Sequence, residues 1–111
     1  MSRAYHVHLS IYPLGTAEVP KALAAIRTAW IAPAWVRQRE IAGAHFLEAM
    51  AEAPFRAGET ETLFVERLSI AIWKRLGRYV KVVVEAGHEN TPEFRHLELE
   101  EPDYLKLMRL H

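Results

Sequence analysis

The residues Tyr5-His6-Val7-His8-Leu9-Ser10-Ile11-Tyr12 alternate strictly. Tyr5, Val7, Leu9 and Ile11 are set against His6, His8, Ser10 and Tyr12. A period of two over eight residues reads as a strand with one face in a core and the other outside it. A strand needs partners and a covered face, so this run commits the chain to a sheet. Pro13, Gly15 and Thr16 are expected to stop it.

Residues 79–86 give a second such run. Val80, Val82, Val84 and Ala86 share one face, and Tyr79, Lys81, Val83 and Glu85 the other. Residues 94–100 read as a third strand, with Leu97 and Leu99 opposite His96, Glu98 and Glu100. A loop over 87–92 precedes it. Two helices lie between the first two strands. In one, Val19, Leu23, Ile26 and Trp30 recur at i, i+4, i+7 and i+11, an amphipathic stripe with Pro20 in its first turn and Pro33 beyond its end. The other opens at Glu59-Thr60-Glu61-Thr62, where Thr60 or Thr62 caps it. Its stripe is Phe64, Val65, Leu68, Ala71, Ile72 and Leu76, and Gly77 ends it.

Residues 34–53 read two ways. The alanines with Glu40, Glu48 and Met50 favour a helix by propensity. The same stretch also reads as two short strands turning near Ala42-Gly43. With the hairpin, the chain is an α+β domain on the β-α-β-β-α-β, ferredoxin-like plan: an antiparallel sheet with helices on one face. With the helix, it is a three-stranded sheet with three helices. A length of 111 residues gives one domain, with 102–111 as a short amphipathic C-terminal tail.

Fourteen Lys+Arg balance fourteen Asp+Glu, so no basic excess points to nucleic acid. A neutral chain lacks the repulsion that keeps monomers apart, and a homo-oligomer is expected. The absence of cysteine excludes disulfides, thiolate catalysis and cysteine-ligated metals, and fits the cytoplasm. No apolar run is long enough to span a bilayer, and Met-Ser-Arg-Ala-Tyr-His-Val-His has no signal-peptide apolar region.

The uncovered sheet face is where the chemistry gathers. It is expected to carry His6, His8, Ser10 and Tyr12 beside Lys81 and Glu85. Imidazoles, a carboxylate, an ammonium and a phenol together suit a small polar ligand, and we take His6, His8, Tyr12, Lys81 and Glu85 as the candidate ligand-binding residues. A carboxylate such as Glu85 can anchor a cationic or N–H-rich ring. His6 and His8 point to one side about 7 Å apart at a rise of 3.3 Å per residue. With Glu85 or His88 they offer three ligands for zinc, although alternating polar residues are ordinary on any half-exposed strand. His88, Glu89, Asn90, Arg95 and His96 flank a possible pocket mouth. Of Arg37 and Arg39, one can reach a phosphate or carboxylate if they lie on a strand, and both form a solvated face if helical, the reading that propensity favours. Trp30, Trp35 and Trp73 suit the core or a subunit contact better than a stacking platform. Ser10 beside His8 lacks an oxyanion hole, and no phosphate loop, Gly-x-Ser-x-Gly or His-Glu-x-x-His motif occurs.

The stretch Leu9-Ser10-Ile11-Tyr12-Pro13-Leu14-Gly15-Thr16 resembles the first strand and turn of the small thiamine-binding family. The similarity extends loosely to the long helix and to Arg78-Tyr79-Val80-Lys81-Val82-Val83-Val84, while Ala42 to Ala49 departs from that family's pattern. The resemblance implies a ferredoxin-like cytoplasmic protein that pairs sheets between subunits and binds a small ligand there. The stretch from Glu66-Arg67-Leu68 through Val82-Val83-Val84-Glu85-Ala86-Gly87-His88 is similar to the helix–strand unit of tunnel-fold pterin enzymes, which implies that Glu85 grips a pterin ring. The expected function is therefore non-catalytic small-ligand binding with self-association through the open face. The alternative is a pterin- or metal-handling enzyme using Glu85 and the histidines.

Overall fold

The computed structural model describes residues 4–88 and 92–110. The first three residues of the N-terminal stretch read above, and the pocket-mouth candidates Glu89 and Asn90 with Thr91, lie outside the described residues. In chain order the elements are β1 (Ala4–Leu14), α1 (Glu18–Ala29), β2 (Trp35–Ile41), β3 (Ala44–Pro54), α2 (Glu61–Leu76), β4 (Lys81–His88), β5 (Arg95–Leu99) and α3 (Glu101–Arg109). The strands form one antiparallel sheet in the order β2-β3-β1-β4-β5.

The alternation in β1 sets the layers. Val7, Leu9, Ile11 and Leu14 are buried, together with Leu47, Ala49, Ala51 and Ala53 of β3 and Val82, Val84 and Ala86 of β4. Val19, Ala22, Ala25 and Ile26 of α1 and Phe64, Val65, Leu68, Ile72 and Trp73 of α2 complete this core. Tyr104, Leu107 and Met108 of α3 pack on its margin. The helices thus cover one face of the sheet and leave the other open.

The strand β1 continues through Pro13 to Leu14, which pairs with His45 after a register shift beyond Ile11. The break signal falls on a bulge, where a proline's missing N–H is tolerated. Thr60 caps α2, its hydroxyl accepting from the Leu63 N–H at 3.2 Å, and Gly77 closes that helix at φ 76°. Trp73 and Ser69 are buried, whereas Ala71 and Leu76, expected in the stripe, are only partly covered. Trp73 donates from Nε1 to the Val80 carbonyl at 2.9 Å, tying α2 to the residue before β4.

Of the two readings of residues 34–53, the hairpin is the one found, although propensity favours the helix; the sheet has five strands, and the three-stranded alternative is set aside. The hairpin wins because β3 alternates. Leu47, Ala49, Ala51 and Ala53 lie under the helices, while Glu48, Met50 and Glu52 point away. The small alanines that favour a helix locally instead provide a flat inner face. As a strand, β3 also pairs its backbone with β1 along most of its length. That cooperative pairing and burial outweigh propensity differences of a few tenths of a kcal/mol per residue. Arg37 and Arg39 consequently sit on a strand rather than a solvated helix. No helix among the described residues is long and apolar enough to cross a membrane.

Candidate functional site on the open sheet face

Register assigns the open face row by row. His8 lies opposite Met50 on one side and Glu85 on the other, with Trp35 and His96 beyond them. Ser10 lies between Glu48 and Val83, with Arg37 and Glu98 outside. His6 lies between Glu52 and Gly87, and Tyr12 faces Lys81. The five candidate ligand-binding residues therefore do share one surface.

Most charges on this surface are paired. His6 Nδ1 is 2.9 Å from Glu52, and His8 Nε2 is 3.2 Å from Glu48. Arg39 reaches the other oxygen of Glu48 at 3.2 Å and lies over the Phe46 ring. Glu48 is only 14% exposed and sits between these two partners. On the far side His96 bridges Glu85 at 3.4 Å and Glu98 at 3.1 Å, and Lys81 reaches Glu98 and Glu100, each at 3.4 Å. The Glu98 contact, with a smaller one from Glu85, holds the His96 imidazole above its ordinary value. The same contact with His96, followed by Lys81, holds Glu98 below the usual carboxylate range. Glu100 and then Glu98 raise Lys81.

Among the described residues the candidate side chains other than Glu85 fall in separate depressions of this surface. The larger, of about 650 Å³, is lined by His6, His8, Trp35, Met50, Glu52 and Phe94. Its size falls in the usual range for small-molecule sites. Phe94 forms a wall because the chain at Glu93 passes close over β4. A Cβ on Gly87 would stand 2.5 Å from the Glu93 carbonyl oxygen, so only glycine leaves room. The smaller, of about 200 Å³, holds Tyr12 and Lys81 with Ser10, Phe46, Val83 and Glu98. Glu85 lines neither, and its carboxylate engages His96 instead. The expected set is thus split: two histidines in one hollow, Tyr12 and Lys81 in another, and Glu85 outside both.

His88 does not join His6 and His8. It follows Gly87 on the opposite pleat, opposite Tyr5, and its ring lies 4.2 Å from the Tyr5 ring on the helix-covered side. The alternative zinc set of His6, His8 and His88 is therefore not assembled. Among the described residues no group of three His, Asp or Glu side chains is placed to hold a metal ion.

Trp35, Met50, Glu52 and Phe94 escaped the sequence reading. The first three belong to residues 34–53, which read both as helix and as hairpin, and only the hairpin gives them a common face with β1. The available signal was the alternation Leu47, Ala49, Ala51, Ala53 against Glu48, Met50, Glu52. Trp35 is 42% exposed, so it is neither core nor covered by another element. No protein-family model, no curated protein and no solved structure matches this chain.

Proposed function

We propose that this chain is a non-catalytic small-ligand-binding protein of ferredoxin-like plan, and that two copies associate through their open sheet faces. The observation that carries this reading is the hollow of about 650 Å³ on the one sheet face that no helix covers. Its apolar walls, Trp35, Met50 and Phe94, suit a flat ring, and Glu52 with the two histidines suits N–H groups or a positive charge on it. With the resemblance in residues 9–16, this favours an aromatic nitrogen heterocycle of the thiamine kind. The strand order β2-β3-β1-β4 with its two crossing helices supports the ferredoxin-like plan, to which β5 and α3 are additions.

A second copy is the occupant we favour for the face as a whole, laid over the hollow and its rim. Trp35, Ile41, Met50 and Phe94 are large apolar side chains left 41% exposed or more. Arg37, Arg39 and Lys81 share the surface with Glu52, Glu85 and Glu98, so the face carries both signs of charge and neither would repel a second copy outright. Five strands at about 4.8 Å spacing, most of them eight or more residues long at about 3.3 Å each, span roughly 600 Å² or more. That approaches the 800 Å² or so that each partner contributes to a standard interface.

Thermal unfolding with thiamine and its phosphates, reduced pterins, zinc and chelator tests the ligand. At a hundred times its dissociation constant a ligand stabilises by about 2.7 kcal/mol, several degrees for a domain this size. A shift with thiamine compounds, lost in Trp35→Ala, is the expected result. A shift only with pterins or zinc transfers the case to the enzyme reading, and no shift with any overturns both. Solution mass tests the association separately: the wild type is expected as a dimer and Met50→Glu as a monomer. A monomeric wild type removes the second copy.

A further inference from the structure

A second cavity lies on the other side of the molecule, between α1 and α2. It measures about 530 Å³ and is lined by Ala25, Thr28 and Ala29 of α1, by Arg56, and by Arg67, Ala71, Lys74 and Arg75 of α2. Four cationic side chains line it and no carboxylate does. That is unexpected in a chain whose acids and bases balance, and the open face shows the contrasting pattern of paired charges.

The four cations are not equivalent. Arg67 is occupied by the fold. It donates to both oxygens of Glu59, at 2.7 and 3.0 Å, and to the carbonyl of Ala29 at the end of α1. Arg67 takes both Glu59 oxygens at bonding distance, and Arg56 acts on that carboxylate only through its backbone N–H and, from further off, its charge. Arg56, Lys74 and Arg75 are exposed and form no ion pair with any described residue. Lys74 and Arg75 also suit the negative end of α2, but Arg56 precedes that helix and the same account does not reach it.

Their spacing defines a shape. Arg56 joins Arg67 at one end of the groove, and Lys74 and Arg75 stand at the other. Ala71 lies one turn from each end, with Ala25 and Ala29 one turn apart on the facing helix. Seven to eight residues of helix separate the ends, about 10–12 Å at the helical rise. A single phosphate or carboxylate cannot touch both. The alanines between present only methyl groups. We propose that this groove is a second binding site, for an elongated small molecule with an anionic group at each end and an apolar middle. It is separated from the ligand hollow by the sheet itself, and it does not depend on the open-face reading.

Calorimetric titration of the full chain at low ionic strength with hexane-1,6-bisphosphate, hexyl phosphate and inorganic phosphate tests this. The bisphosphate is expected to bind at least about tenfold more tightly than hexyl phosphate, and inorganic phosphate most weakly. Lys74→Ala/Arg75→Ala should bring the bisphosphate down to the level of hexyl phosphate. Ala71→Glu, which places a carboxylate in the apolar stretch at a partly covered helix position, should abolish binding while the far-UV circular dichroism stays that of the wild type. Lys106→Ala/Arg109→Ala removes the same charge from α3, outside the groove, and should change nothing. Equal affinities for the two organic phosphates, equal weakening by the α3 variant, or no binding at millimolar ligand would each overturn the proposal.

Discussion

The tightest single pairing is between Glu18, at the start of α1, and Arg78, after α2. Arg78 donates from Nη2 and Nε to the two Glu18 oxygens at 2.6 and 2.9 Å, and the Gly15 N–H donates to Oε1 at 2.8 Å. The Arg78 hydrogen bonds outweigh partial burial and bring the Glu18 carboxyl down to about 2. Its folded value is depressed, so its stabilisation is complete above the ordinary 4.5 and is lost as pH falls toward 2. Arg78 is 42% exposed, which reduces what the shift implies to about 1–2 kcal/mol. Glu18→Gln is expected to lower urea stability by that amount at neutral pH and by progressively less as pH falls toward 2. A constant gap at both would show that the loss is packing, not charge. The sequence shows Glu18 and Arg78 as ordinary helix-terminal charges sixty positions apart. Only the return of the chain brings them together, whereas the Thr60 cap was legible because it acts three residues away.

At the element scale, the hairpin turn holds a local conflict. Ala42 has φ 52° and Gly43 φ 80°, the left-handed pair that a two-residue hairpin of the primed type requires. Glycine takes this conformation freely, and alanine takes it at a penalty of about 1 kcal/mol or more. Ala42→Asn is expected to stabilise the chain by about 0.5–1 kcal/mol, a rise of a few degrees in Tm. Gly43→Ala should lower it by a similar amount. If Ala42→Asn leaves the Tm unchanged, strain at the turn is not limiting. Ala-Gly is also a poor turn signal compared with Asn-Gly, which is why this hairpin was hard to read. In contrast, β1, β4 and α2 carry strict periodicities with Val-rich or capped sequences, and their local preferences agree with their final environment.

Across the whole molecule, titrating groups shape a pH profile. Glu18, Glu59 and Glu98 are all held below the usual carboxylate value, by Arg78, Arg67 and His96 respectively. Each contributes above 4.5 and loses that contribution as acid protonates it. His96 is held above 6.5, so its contribution is present below 6.5 and is lost as pH rises through its raised value. Urea midpoints should therefore form a broad maximum between about 4.5 and 6.5, with a steep acid limb and a shallow alkaline one. His96→Ala should flatten the alkaline limb and, because His96 is also the first partner of Glu98, lessen the acid limb by the share that Glu98 contributes. A midpoint that does not fall in acid would contradict the pairings above.

Periodicity by itself determined that the chain has a sheet, that β1 and β4 show one apolar and one polar face, and that His6, His8, Tyr12, Lys81 and Glu85 lie on the polar one. These are properties of neighbouring residues, written in the alternation of side chains along a strand. Tertiary structure decided whether residues 34–53 are helix or hairpin, and with that which residues complete the hollow. Those outcomes depend on the backbone hydrogen bonds of β3 to β1 and on burial of its alanines beneath two helices. Both involve groups some forty residues apart, whose meeting no local propensity records.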